Sequence, residues 1–129
     1  MTGDTRRALG TLGEEAAIRH LRAAGYEIVE RNFRTRFGEL DVVAADPHAL
    51  VFCEVRTRVA GGSRGPDGPL DSIGPGKRRR IRQMAAQWLA ARPGAATRPG
   101  RPELRFDAIG VTVTPRGELV RLEHLEGAF

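Results

Sequence analysis

The sequence predicts one α/β domain, a mixed β-sheet flanked by helices, with its elements in the order α-β-β-β-α-β-β. Two segments carry apolar residues at three- and four-residue steps, the period of a helix with one buried stripe. Five other runs are rich in β-branched and aromatic residues and are bounded by Gly, Pro and Asp, as strands are. At 129 residues, the chain has the length of a single domain spanning 1–129, large enough to bury about 68% of its unfolded surface.

The first helix is read over residues 4–24, with Leu9, Leu12, Ala16, Ala17, Leu21 and Ala24 on one face. Asp4 can cap its start, and Gly25 offers a left-handed stop. Gly10 and Gly13 lie inside it, each costing about 1 kcal/mol relative to Ala, which points to the close approach of another backbone or of a ligand. A later start at Thr11, with Glu14 closing a Thr-x-x-Glu capping box, is the alternative. Strands are expected over 26–33, 38–45 and 49–58. Asp46-Pro47-His48 is a turn by composition, so the last two form an antiparallel hairpin. The nearly continuous apolar run from Ala49 to Val55 is that of a central strand buried on both faces. Residues 59–75, rich in Gly and Pro, read as a flexible loop. A second helix over 75–91 buries Ile81, Met84, Ala85, Trp88 and Leu89. A Pro/Gly segment over 92–102 then leads to strands at 104–113 and 119–122.

Lys plus Arg number 21 against 16 Asp plus Glu, a net charge of +5 that fits a polyanionic partner such as nucleic acid. Lys77 is the only lysine. Cys53, the only cysteine, excludes an internal disulfide and a Cys-cluster zinc site. The longest apolar run, 49–53, is far short of the roughly 18 residues of a membrane span. Arg6-Arg7 is not followed by the apolar stretch of an export signal. A cytoplasmic protein with no membrane partner is the expectation.

The chemistry-bearing pattern is Gly38-Glu39-Leu40-Asp41, with Glu54-Val55-Arg56 beginning thirteen residues after Asp41. Alternation puts Glu39 and Asp41 on one face and Glu54 and Arg56 on one face. A hairpin turning at Asp46–His48 brings Asp41 and Glu54 near cross-strand positions. Two carboxylates in an apolar sheet repel each other and each loses hydration. A hard cation such as Mg²⁺ removes both penalties and can activate water beside a phosphate. The alternative is a solvated lattice of cross-strand ion pairs among Glu39, Asp41, Glu54, Arg56 and Arg58. Glu54 directly follows the most apolar run, where charged side chains are rarely buried unless paired or coordinating.

These residues, with GTLGEEAAIRHLRAAGYEIVERNFR, GELDVVA, LVFCEVRTR, the helix from Lys77 to Leu89 and RFDAIGV, resemble the YraN-type family of small bacterial proteins. That family is assigned to the PD-(D/E)xK, restriction-endonuclease-like superfamily and is similar to archaeal Holliday-junction resolvases. The resemblance implies a restriction-endonuclease-like core in which Asp41 and Glu54 bind Mg²⁺ or Mn²⁺, Val55 lends a backbone carbonyl and Glu14 completes the acid set. It also implies a lysine on the second helix, at Lys77. The chain departs from the motif at Arg56, where the motif has Lys. Arg keeps the cation, so positioning and charge stabilisation stay within its reach, but it cannot lose a proton to act as a base.

The run Lys77-Arg78-Arg79-Arg80 with Arg82, extended by Arg31, Arg34 and Arg36, reads equally as a phosphate-contacting track or as a solvated face. Trp88 and Phe106 sit in apolar periodic segments and read as core. His20, His48 and His124 lack ligand spacing, and Asp107 reads as the anchor of an ion pair to Arg105 or to an arginine of the first helix. Two function classes follow. One is a metal-dependent DNA endonuclease acting on branched or damaged DNA, with Asp41, Glu54, Glu14 and Arg56 as its catalytic set. The other is a non-catalytic nucleic-acid-binding protein on a nuclease scaffold; a protein-interaction adaptor is the third option. Resolvase-like relatives act as dimers, so the resemblance makes a homodimer worth testing.

Overall fold

The computed structural model describes residues 3–61, 73–95 and 103–129. The element order is the one expected: α1 (Gly3–Ala23), β1 (Glu27–Thr35), β2 (Gly38–Ala45), β3 (Ala49–Val59), α2 (Pro75–Ala91), β4 (Glu103–Val113) and β5 (Leu119–Leu125). The strands form one five-stranded sheet in the order β1-β2-β3-β4-β5. All neighbours are antiparallel except β3 and β4, which run parallel. A parallel step needs a crossover, and α2 lies between those two strands in the chain.

The helices cover opposite faces of the sheet. Ala16, Ala17, Ile18 and Leu21 of α1 pack on Val42, Val51, Cys53 and Ile109, whereas Ile81, Met84, Ala85 and Trp88 of α2 pack on Leu40, Val43, Leu50 and Phe52. β3 feeds both cores, which is why its sequence shows an unbroken apolar run rather than alternation. Cys53 and Trp88 are core residues, as their periodicity predicts, and Phe106 packs at the edge of the α2-side core. Among the described residues no helix is long and apolar enough to cross a membrane.

Several boundaries differ from expectation. α1 is continuous from Gly3, so the start at Thr11 is not used; the Thr11 hydroxyl donates instead to the carbonyl of Arg7 one turn back. α1 ends at Ala23, and Gly25 adopts φ +96°, the left-handed turn assigned to it. β1 runs on to Thr35, where the Thr35 hydroxyl donates to the Gly38 carbonyl and accepts from the Phe37 N–H, closing the hairpin into β2. β5 reaches Leu125, three residues past the expected end, because Glu123 and His124 pair with Gly110 and Ile109 of β4. Their polarity hid the strand. The capping role of Asp4 and the loop and linker readings over 62–72 and 96–102 lie outside the described residues and side chains.

The two interior glycines of α1 separate cleanly. A methyl group on Gly13 would lie 1.7 Å from Thr57 Oγ1 of β3, so the helix crosses the sheet at that point with no room for a side chain. A methyl group on Gly10 meets nothing within 4 Å. Gly13→Ala is therefore expected to lose about 1–3 kcal/mol of stability through overpacking, outweighing its gain in helix propensity. Gly10→Ala is expected to gain up to about 1 kcal/mol. Urea denaturation of the two variants checks both signs.

Candidate functional site

The site begins where β2 and β3 part. Their ladder ends at Val42 opposite Cys53, so Asp41 and Glu54 are the next residues along, at the mouth of a fork. Leu40 packs with the α2-side core and Val42 with the α1-side core, so strict alternation breaks between them, at Asp41. Released from its neighbour strand, Asp41 turns its carboxylate into the gap, and Oδ2 accepts the Val55 N–H at 2.8 Å. In an extended strand the N–H and C=O of one residue point to the same side, so the Val55 carbonyl also faces this gap.

Glu54 is only 7% exposed. Its Oε1 lies 2.7 Å from the Lys77 ammonium, in the first turn of α2, and 4.0 Å from the Arg56 guanidinium. Carboxylates from two further elements converge on Asp41. Glu14 of α1, Glu39 of β2 and Asp41 each bring one oxygen to within 4.8 Å of the others. Burial, reinforced by the charges of Glu54 and Glu14, pushes the Asp41 carboxyl up to about 8 against the opposing pull of the Val55 N–H.

Two cavities meet over this pair. One of about 470 Å³ is lined by Gly10, Glu14, Arg56 and Thr57, the other, of about 240 Å³, by Glu39, Arg80, Ile81 and Met84, and both include Asp41, Glu54 and Lys77. Together they form a cleft running from the middle of α1 to the start of α2 across the forked strands.

The structure thus gathers Asp41, Glu54, Val55, Glu14 and Arg56 around one cleft. Lys77, read from the sequence as part of a basic track, turns inward to Glu54. The other basic candidates point in different directions. Arg31 pairs with Glu15 at 2.6 Å, and Arg34, its side chain 87% exposed, lies 3.4 Å from Glu39. Arg78 donates to the Ile73 carbonyl and Arg82 stacks over Phe106, while Arg79 is exposed.

Two participants escaped the sequence reading, and a third was read only as part of the basic track. Glu39 was placed only in the solvated lattice, yet it joins the acid cluster. Asn32 on β1 donates from Nδ2 to Glu14 Oε1 at 2.7 Å and to Glu39 Oε1 at 2.8 Å. Arg80 lines the cleft beside Lys77. Polar residues on a strand edge and a run of arginines carry no signal that separates these from solvated neighbours.

A second polar cluster lies on the α1 side of the sheet. Asp107, fully buried, accepts from Arg105 at 2.9 Å through both oxygens, from the Gly127 N–H at 3.0 Å and from His124 Nε2 at 2.7 Å. The ion pair to Arg105 is the one expected. His124 Nδ1 in turn lies 2.9 Å from His20 Nε2 of α1, and Arg105 reaches the Tyr26 hydroxyl at 2.5 Å. An ionised Asp107 only accepts, so His124 donates from Nε2; with both rings neutral, His20 then donates to His124 Nδ1. Burial and the neighbouring His124 hold the His20 ring below its usual range, which favours the neutral form of that ring.

Residues 13–111 match the family model described as Uncharacterised protein family UPF0102. A UPF0102 protein of Frankia casuarinae is 47% identical over 122 residues, covering 95% of this chain and 96% of that protein. One of Streptomyces griseus is 44% identical over 124 residues, covering 96% of this chain and 98% of the relative. A third, of Kineococcus radiotolerans, is 41% identical over 122 residues, covering 93% and 92%. Every element of the fork, from Gly13 of α1 through Val111 of β4, falls within the matched span, and the chain belongs to the UPF0102, or YraN-type, family.

Proposed function

We propose that the chain is a divalent-metal-dependent endonuclease that hydrolyses phosphodiester bonds in DNA, with branched or damaged duplexes as the substrate class. The observation that carries this reading is the convergence of Asp41, Glu54, Glu14 and Glu39 on one cleft, with a lysine ammonium 2.7 Å from Glu54. The donor set is entirely carboxylate and carbonyl oxygen, which suits Mg²⁺ or Mn²⁺ and not a thiolate- or imidazole-preferring ion. Asp41, Glu54, Glu14, Glu39 and the Val55 carbonyl would hold it. When bound, such an ion supplies charge stabilisation to a phosphate oxygen and acidity to a coordinated water.

The chain's own residues do the rest. The Val55 N–H donates to Asp41 and holds its carboxylate in the fork. Lys77 fixes Glu54 and sets a mobile point charge where the attacking water and the scissile phosphate would meet. The ammonium that the nuclease motif carries two residues after its glutamate thus has a counterpart arriving from α2. Arg56, lining the same cleft, offers a fork-shaped cation to a phosphate oxygen. Arg80 adds a third positive group along the path of a backbone.

Duplex, single-stranded and four-way-junction DNA incubated with Mn²⁺ test the reading. Cleavage is expected that chelator stops and that Lys77→Met lowers by at least about 100-fold, the scale of losing one preorganised charge stabiliser. A second reading, a non-catalytic nucleic-acid-binding protein, is favoured by Arg56 in place of the motif's lysine. It predicts salt-sensitive binding indifferent to chelator, with no cleavage by the wild type or by Arg56→Lys.

A further inference from the structure

Asn32 is the one non-glycine residue with positive φ among the described residues, at φ 52°. Its neighbours Arg31 and Phe33 face Val42 and Leu40 across the β1–β2 ladder, which sets Asn32 opposite Asp41. A left-handed residue inside a strand interrupts the alternation of side chains, and both Arg31 and Asn32 are exposed, where alternation would separate them. Such a conformation costs about 1 kcal/mol or more and persists where the surroundings hold it. Asn is among the side chains that tolerate it best.

The twist aims the carboxamide. Its nitrogen has two hydrogens, and both are spent on carboxylates from different elements, Glu14 of α1 and Glu39 of β2. These are the two acids whose oxygens converge with that of Asp41. A neutral amide ties two carboxylates together through its two N–H donors without competing as a cation. It engages Oε1 of each glutamate, leaving the second oxygen of Glu14 to approach a ligand, while Oε2 of Glu39 lies 3.4 Å from the exposed Arg34.

We propose that Asn32 is a positioning residue that sets the spacing of Glu14 and Glu39 around the candidate metal centre, and that the left-handed backbone at this position exists to aim its amide. The inference rests on the metal-dependent reading above. A fixed spacing between the two acids suits a small octahedral ion, whereas a loosened pair suits a larger ion with flexible coordination. The clamp therefore selects Mg²⁺ or Mn²⁺ over Ca²⁺ as well as raising affinity.

Asn32→Gly separates this role from a merely conformational one, because glycine accepts the left-handed backbone at least as readily and removes only the amide. Calorimetric titrations of wild type and Asn32→Gly with Mn²⁺ and with Ca²⁺, alongside melting temperatures in chelator, read the result. The metal-free melting temperature is expected to hold, Mn²⁺ affinity to fall about 10- to 100-fold, and Ca²⁺ affinity to fall less, so that the Mn²⁺/Ca²⁺ ratio drops. Unchanged Mn²⁺ affinity overturns the proposal, as does an equal loss for both ions. A wild type that binds neither ion sinks the metal reading itself, an outcome distinct from a wild type and variant that bind alike.

Discussion

Asp41→Asn is expected to make the metal-free protein more stable above neutral pH and at the same time to abolish its response to Mn²⁺. Burial and the charges of Glu54 and Glu14 raise the Asp41 carboxyl to about 8 in the folded chain. In the unfolded chain it titrates near its ordinary value of about 3.9. The folded state therefore holds a proton that the unfolded state has released across the interval between those values. The stabilisation from that proton is complete below about 4 and is lost as pH climbs towards 8, at up to about 1.4 kcal/mol per pH unit. An amide carries no such proton, and its oxygen can still accept the Val55 N–H. Melting curves in chelator should then converge at low pH and separate as pH rises, with the variant on top. A cation reverses the order, because it takes over the role of the proton. At a hundredfold excess over its dissociation constant, Mn²⁺ should add about 2.7 kcal/mol to the wild type. The variant, stripped of one ligand charge at the centre of the cluster, should gain little. Parallel pH profiles for the two proteins in chelator, or equal metal shifts, would remove the acid cluster as an ion site.

The acid pair was legible because a hairpin leaves few choices. With a turn fixed by Asp46-Pro47-His48, the thirteen residues separating Asp41 from Glu54 set them beside each other whatever the rest of the chain does. The layered fold was legible for a similar local reason: each helix wrote its own stripe, and the doubly buried β3 wrote an unbroken apolar run. What stayed hidden depends on departures from regular geometry or on long-range closure. The break in alternation at Asp41 comes from two strands parting, an event that β-propensity does not encode. Asn32 is an ordinary polar residue in sequence, and only its dihedral angle makes it a clamp. Lys77 sat in a run of four cations that read as one surface, yet the helix turns successive residues through about 100°, so Lys77 and Arg80, three positions apart, line the cleft while Arg78 turns to the Ile73 carbonyl. His20 and His124, separated by 104 positions, meet only because β5 folds back along β4 beneath α1.

Asp107→Ala is expected to cost about 3–5 kcal/mol, the scale of breaking a buried charge pair and leaving its partner stranded. Against a typical total of about 5–15 kcal/mol, that brings the domain close to unfolding at moderate temperature. The reason is connectivity. The Asp107 carboxylate joins β4 to β5 through His124, to the C-terminal turn through Gly127 and, through Arg105, to Tyr26 at the entry to β1. Without it, Arg105, its side chain 14% exposed, keeps a hydroxyl and the outlying Glu126 at 3.7 Å. Here the protonation argument runs opposite to that for Asp41. Burial alone would raise the Asp107 carboxyl, but bonds from His124, Arg105 and the Gly127 N–H outweigh it and hold the group below its ordinary value. Its stabilisation is thus present above the unfolded-state value of about 3.9 and fades as pH falls below it. In urea titrations the gap between wild type and Asp107→Ala should be full at neutral pH and narrow under acid. The same charge deletion at Asp41 should open a gap of the other sign under alkali. One carboxylate is surrounded by donors that complete it, the other by acids that do not, and this contrast is the physical ground for reading the first as structural and for proposing a ligand at the second.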